Sequence, residues 1–95
     1  MSVILINAFE VPAGADEDFL PAWDRTDEAM RAQPGIVSRR LHRSLAPQAD
    51  FRYVNVAEWT TAEAFAAALR SPAFQEAAST LPFTSHPALY ELVRS

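Results

Sequence analysis

Ninety-five residues, 49% hydrophobic and 21% charged, describe one ordinary globular core: too few for two domains and too apolar for a disordered tail. Twelve acidic against eight basic residues, all eight of them arginine, leave a net charge of −4 and no basic stripe of the kind nucleic acid demands. Cysteine is absent, which excludes disulfides, thiolate nucleophiles and thiolate metal sites; with no long apolar run and no basic leader, the expected setting is the cytoplasm, away from membranes.

From Val3 to Val11 both alternating sets of side chains are apolar, Val3, Leu5, Phe9 and Val11 on one and Ile4, Ile6 and Ala8 on the other. This predicts a strand covered on both faces. Pro12-Ala13-Gly14 ends it, and Asp16, Glu17 and Asp18 place negative charge where the dipole of a following helix favours it. That helix is predicted to run to about Gln33, with Phe19, Ala22, Trp23, Thr26 and Met30 forming one stripe; Pro21 fits only if it falls in the first turn. Pro34-Gly35 stops the helix. Ile36 to Leu45 then reads as an amphipathic strand, with Val37, Leu41 and Leu45 opposite Ser38, Arg40, His42 and Ser44.

Ala46-Pro47-Gln48-Ala49-Asp50 is the expected hairpin turn into a third strand, Phe51 to Trp59. One of its faces carries Phe51, Tyr53, Asn55, Ala57 and Trp59, the other Arg52, Val54, Val56 and Glu58. Thr60-Thr61-Ala62-Glu63 has the form of a capping box and predicts a helix that turns Ala64, Phe65, Ala68 and Leu69 inward. Ser71-Pro72 opens a shorter helix to about Ser79. Leu81 to Pro87 has no period and reads as a connection into a last strand from Ala88 to Val93.

The order β-α-β-β-α-β predicts an α+β, ferredoxin-like domain spanning residues 1–95, with an antiparallel four-stranded sheet. Its helices cover one sheet face. The other face would also be apolar, through Ile4, Ile6, Val54, Val56, Leu89 and Val93, so a homodimer packed through this aliphatic face is expected.

Polar groups on apolar strand faces are the informative anomalies, because an unpaired buried amide costs a few kcal/mol, roughly 1–3 by mutation. Asn7 lies between Leu5 and Phe9, and Asn55 between Tyr53 and Ala57, both on the face turned toward the helices. Each amide could instead tie down a bulge; two on one face favour a pocket. Trp59 follows Asn55 by four residues on the same face, roughly 13 Å along the strand. Trp23, Tyr53, Phe65, Phe74 and Phe83 are candidates to line the same space, beside the alternative that they are simply core. An aromatic hollow with a few neutral polar groups suits a small, flat, apolar ligand. His42 and His86 are the only histidines and hence the candidate general bases, with solvent exposure the competing reading for His42 and a structural role for His86. No metal or nucleotide-cofactor motif is present: there is no HExxH, GxGxxG or GxxxxGK[ST].

The opening Val3-Ile4-Leu5-Ile6-Asn7 with Phe9-Glu10-Val11-Pro12, then Gln33-Pro34-Gly35, resembles the antibiotic biosynthesis monooxygenase family of dimeric α+β barrel proteins. Phe51 to Trp59, Ser71-Pro72-Ala73-Phe74 and His86-Pro87-Ala88-Leu89-Tyr90 carry the resemblance nearly to the end of the chain. It implies an oxidoreductase. Members similar to anthrone oxygenases use neither metal nor flavin, and an asparagine and a tryptophan four residues apart position the substrate; Asn55 and Trp59 match that pair. The resemblance thus implies a cofactor-independent monooxygenase that turns an anthrone-like, polyketide-derived substrate into a quinone. A second branch degrades heme and implies another expectation, a heme-binding or heme-oxidising protein. Asn7 matches that branch's asparagine, but Ala68 and Ala78 stand where its tryptophan and histidine belong. A non-catalytic dimeric binding protein is the expectation from a different class.

Overall fold

In the computed structural model, which describes residues 2–95, the chain runs β1 (Val3–Phe9), α1 (Asp16–Arg31), β2 (Ile36–Arg43), β3 (Tyr53–Trp59), α2 (Ala62–Leu69), α3 (Pro72–Ser79) and β4 (Ser85–Tyr90). The strands form one sheet in the order β2-β3-β1-β4, every neighbouring pair antiparallel. This is the ferredoxin-like arrangement, with α2 and α3 together in the place of the second helix. The break between them is the expected one: Ser71 caps α3 by accepting from the Phe74 amide, and Pro72 occupies the first helical position.

Strand parity divides the sheet into two unlike faces. In β1, Leu5 and Phe9 are buried under the helices while Ile4, Ile6 and Ala8 point away and are half-buried. In β3, Tyr53, Asn55, Ala57 and Trp59 are buried and Val54, Val56 and Glu58 lie on the outer side. The outer surface is therefore aliphatic at its centre, as expected.

The helix-side core is a cluster of rings around Phe19, which has no exposed surface. Phe19 meets Phe9, Tyr53 and Phe83 with ring centroids 5.2, 4.5 and 5.5 Å away, and Phe9 meets Trp23 at 5.7 Å. Burial of each such side chain contributes about 1.5–3 kcal/mol, and the tilted and stacked geometries add to it.

Ion pairs fasten α1 to the neighbouring strands. Arg52 donates two hydrogen bonds to Asp16, at 2.6 and 2.7 Å, with Arg43 also 3.8 Å from that carboxylate, and Arg39 donates to Asp27. The Tyr53 hydroxyl lies beside the Asp16–Arg52 pair, outside hydrogen-bond geometry but within its electrostatic reach. Hydrogen bonding from Arg52 holds the Asp16 carboxyl at about 2, below its ordinary 3.8. A depressed carboxylate stabilises the fold above its unfolded pKa and loses that contribution as pH falls through the folded value. Acid unfolding of the wild type should therefore steepen as pH drops from 3.8 toward about 2. Asp16→Asn should remove that segment of the Tm-versus-pH curve; an unchanged curve would show that the pair contributes nothing.

Gly35, between α1 and β2, has φ +93°, and a Cβ there would meet the Ala64 Cβ at 2.6 Å and the Thr60 Oγ1 at 3.0 Å. Both the left-handed backbone and the approach of α2 require glycine. Gly35→Ala is expected to cost at least about 2 kcal/mol, lowering Tm by roughly 10 °C in a domain of this size, measurable by thermal melting.

Several boundaries differ from the sequence expectation. Pro21 sits in the second turn of α1, not the first. The carbonyl it leaves unpaired is that of Glu17, and both residues lie on the exposed side of the helix, where water replaces the lost bond. A bulge between Ile36 and Ser38 makes Val37 the extra, exposed residue of β2, and β2 ends at Arg43, leaving Leu45 outside the strand and fully exposed. Arg39 and Arg43, by contrast, pair with Ala57 and Tyr53 and so share the helix-side face with Leu41. Phe51 lies before β3 instead of within it. Thr61, not Thr60, caps α2 through the Ala64 amide; this shifts Glu63 one position too early to close a capping box.

The largest difference is β4, which begins at Ser85 and ends at Tyr90. Pro87 lies inside it. Proline is tolerated there because β4 is an edge strand, paired only with β1. Its register with β1 reverses the expected faces: Leu89 pairs with Leu5 and turns toward the helices, and Val93 falls beyond the strand, leaving both outside the aliphatic outer face.

Candidate active site

Between the sheet and the helices is a cavity of about 570 Å³, the size of a typical small-molecule site. β1 contributes Leu5, Asn7 and Phe9 to its wall, and α1 contributes Trp23, Thr26 and Met30 from the stripe that faces the sheet. Phe65 and Leu69 come from α2, and Phe74 and Ala78 from α3. Leu81, Phe83 and the stretch Ser85–Leu89, without His86, close the remaining side. Cavity and core share their aromatic wall.

Asn7 and Asn55 are direct cross-strand partners in the β1–β3 register. Their Cβ atoms are thus neighbours, roughly 5 Å apart. Asn7 Oδ1, both amide atoms of Asn55 and the Trp59 indole Nε1 are buried without a hydrogen-bond partner. Leaving such an atom unpaired costs about 1–3 kcal/mol, so each of these groups calls for a partner. The amides do not tie down bulges; both stand in regular ladder.

These groups differ in depth. Asn7 reaches the cavity wall directly, whereas Asn55 and Trp59 are 0% and 1% exposed and lie behind it on β3. Phe65 connects the two layers, lining the cavity on one side and packing edge-on against Trp59 at 5.5 Å on the other. Tyr53 is likewise buried under Phe19 and does not reach the cavity. Trp23, Phe65, Phe74 and Phe83 all line it, as expected.

The two histidines are elsewhere. His42 pairs with Val54 and His86 with Ala8, so both rings project from the outer face, opposite the cavity. His86 Nε2 lies 2.6 Å from Glu10 Oε2, and its ring meets Phe51 edge-on at 5.1 Å. The expectation of an imidazole within the pocket is corrected by the register of β4: Pro87 and Leu89 pair with the inward Asn7 and Leu5, so odd positions turn inward and His86, opposite Ala8, turns out. The same parity brings in Ser85, Pro87 and Leu89, which the sequence reading left out. Alternation from Ser85 was the available signal, masked by Pro87. Thr26 was read as helix stripe, yet it also lines the cavity; its hydroxyl donates to the Ala22 carbonyl at 3.1 Å and keeps its lone pairs for an acceptor role.

No cluster of three or more histidine, aspartate or glutamate side chains that could hold a metal occurs among the described residues. Heme held through an imidazole does not fit this cavity: its wall contains no histidine, and Ala78 contributes only a methyl group from α3. Among the described residues no helix is long and apolar enough to cross a membrane.

Residues 2–80 match the family model for antibiotic biosynthesis monooxygenases. Deoxynogalonate monooxygenase of Streptomyces nogalater is 38% identical over 79 residues, covering 83% of this chain and 64% of that protein. The mycobilin-producing heme oxygenase of Mycobacterium tuberculosis is 36% identical over 73 residues, covering 77% of this chain and 68% of that one. Among solved structures, SnoaB, a cofactor-independent oxygenase from Streptomyces nogalater, superposes with a TM-score of 0.86 at 34% identity, covering 99% of this chain and 95% of the other. A MhuD variant with two manganese protoporphyrin IX bound per active site superposes with a TM-score of 0.77 at 29% identity, covering 98% and 96%. With a family match over nearly its whole length and the same fold throughout, the chain belongs to the antibiotic biosynthesis monooxygenase family.

Proposed function

We propose that the chain is a cofactor-independent monooxygenase that oxidises a flat, aromatic, polyketide-like substrate with dioxygen. The observation that carries this reading is the in-register pair Asn7 and Asn55, with unpaired amide atoms, beside the unpaired indole of Trp59 and an aromatic cavity. The cofactor-independent relative SnoaB supports it; the missing imidazole weighs against the heme branch.

In this mechanism an anthrone-type ring system enters among Trp23, Phe65, Phe74 and Phe83, and Phe65, which packs on Trp59, shifts to admit it to the buried β3 groups. The substrate's acidic C–H loses its proton to water at the cavity mouth, and the negative charge moves to the ring oxygen. Amide N–H groups of Asn7 and Asn55 donate to that oxygen. Donors fixed at the site of developing charge are usually the largest catalytic contribution, because they need no reorganisation. The carbanion gives one electron to dioxygen, and the resulting radical and superoxide combine to a peroxide. Loss of one water leaves the quinone, so one oxygen atom enters the product and the other departs as water. Trp59 orients the ring and its indole N–H is available to the peroxide oxygen. His42 and His86 have no part in this chemistry.

The outer face has a separate role in this reading. Ile4, Ile6, Ala8, Val54 and Val56 form the surface through which two copies pair sheet to sheet.

Oxygen consumption with an anthrone, followed for the wild type, Asn55→Leu and Trp59→Phe, tests the proposal. Substrate-dependent uptake in the wild type that collapses in Asn55→Leu supports it. Ligand binding without uptake above the uncatalysed rate would instead make the protein a binding module.

A further inference from the structure

The cavity wall is graded in depth. Leu5, Phe9, Trp23, Thr26 and Met30 are buried, and Asn7, Phe65 and Phe74 are half-buried. The exposed lining residues are Leu69 at the end of α2 and, on β4, Ser85 and Pro87–Leu89. The helix layer stops short of β4: every residue of the strand is exposed, including Ser85, Pro87 and Leu89, whose pairing with Phe9, Asn7 and Leu5 turns them to the helix side. The cavity therefore opens over the inner side of β4, with Leu89 as one lip, 37% exposed, and Leu69 as the other, 44% exposed.

One register row leads from this mouth to the buried amide. Pro87 pairs with Asn7 and Asn7 with Asn55, so an exposed, a half-buried and a fully buried position follow one another across β4, β1 and β3. Neighbouring strands are about 4.8 Å apart, which puts Asn55 roughly 10 Å in from Pro87. Pro87, Leu89 and Leu69 carry no polar side-chain group, and apolar surface left bare beside a cavity is surface for a ligand to cover. The opposite row of the strand, His86, Ala88 and Tyr90, lies on the outer face, so pairing of two copies there leaves the mouth free.

Resting on the cavity reading above, we infer that the inner side of β4 is both the entrance and an outer subsite: the ligand enters edge-on along the row Pro87–Asn7–Asn55, and its trailing ring stays on Pro87 and Leu89, opposite Leu69. The two ends of the ligand are then treated differently. The leading ring is enclosed by buried side chains that leave no room for added bulk. The trailing ring keeps one edge in water, so a substituent there passes out over β4 whatever its length. Selectivity resides in the deep half of the cavity, and Leu69 and Leu89 hold the outer half by contact alone.

The test uses three non-reacting quinones followed by calorimetry: anthraquinone, its derivative with one ethylene glycol chain at ring position 2, and the derivative with chains at positions 2 and 6, which has no bare outer ring to lead. The single-chain probe should bind within about threefold of the parent, because its chain meets only water, and the double-chain probe should not bind. The absence of cysteine allows a second readout. Bound anthraquinone should slow maleimide alkylation of Leu89→Cys by roughly tenfold or more and leave that of Val37→Cys, on the far edge of the sheet, unchanged. Loss of binding with a single chain, equal binding with two, or no protection of Leu89→Cys would overturn the mouth over β4 while leaving the cavity standing. Failure of the parent quinone to bind would overturn the cavity reading itself, and the present inference with it.

Discussion

Asn55→Leu is expected to lower the rate of anthrone-dependent oxygen consumption by roughly 100- to 1,000-fold, the usual loss when one donor to a developing oxyanion is removed. The same substitution should raise Tm. Asn55 is completely buried and neither amide atom has a hydrogen-bond partner within the protein, so it is expected to weaken the fold it belongs to. Leucine has nearly the same branched shape without the unsatisfied groups, and relief of about 1 kcal/mol corresponds to a rise of around 5 °C in a domain of this length. The two readouts together separate roles that activity alone would confuse. A structural asparagine would lose stability and activity in parallel, whereas a residue retained for chemistry loses activity while the protein melts later. A fall in both would mean that Asn55 holds the sheet together through contacts other than its amide.

Ile6→Asp should abolish pairing of two copies through the outer sheet face. Ile6 sits opposite Val56 on one side and Ala88 on the other, near the middle of that face, with Arg40 one strand further along the same row and not in direct register with it. In a two-fold symmetric pair the substitution places one unpaired carboxylate from each copy in the interface, and each buried ion costs several kcal/mol. The dissociation constant is therefore expected to rise by roughly 1,000-fold or more, as read by sedimentation equilibrium. Because Ile6 is only half-buried in the single chain, the released monomer should keep its fold and its circular dichroism spectrum. A wild type that sediments as a monomer at all accessible concentrations would refute this role for the face.

The parts of the fold legible from sequence are those set by alternation within one element. Leu5 and Phe9 against Ile4 and Ile6 gave both faces of β1, and Tyr53, Asn55, Ala57 and Trp59 gave the inner face of β3. Asn7 and Asn55 were legible as a pair for the same reason: an amide amid apolar neighbours stands out wherever the period is clear. What was not legible depends on partners distant in the chain. Pro87 reads as a strand breaker until β4 is known to be an edge, and that mistake hid the inward set Ser85, Pro87 and Leu89 and misplaced His86. The bulge at Val37 is a property of the β2–β3 register, not of β2 alone. Depth was equally hidden: spacing puts Asn55 and Trp59 on one face, but only the packed structure reveals that both are buried behind the cavity wall, Trp59 against Phe65, while Asn7 opens onto it.

The most direct test of cofactor-independent oxygenation is isotopic. Protein exhaustively treated with chelator and free of heme and flavin by absorption would be given an anthrone under ¹⁸O₂ and the product weighed by mass spectrometry. The mechanism predicts undiminished turnover and a quinone carrying one atom of ¹⁸O. Turnover that disappears on stripping and returns with added metal or heme, or a product oxygen drawn from water, would contradict it.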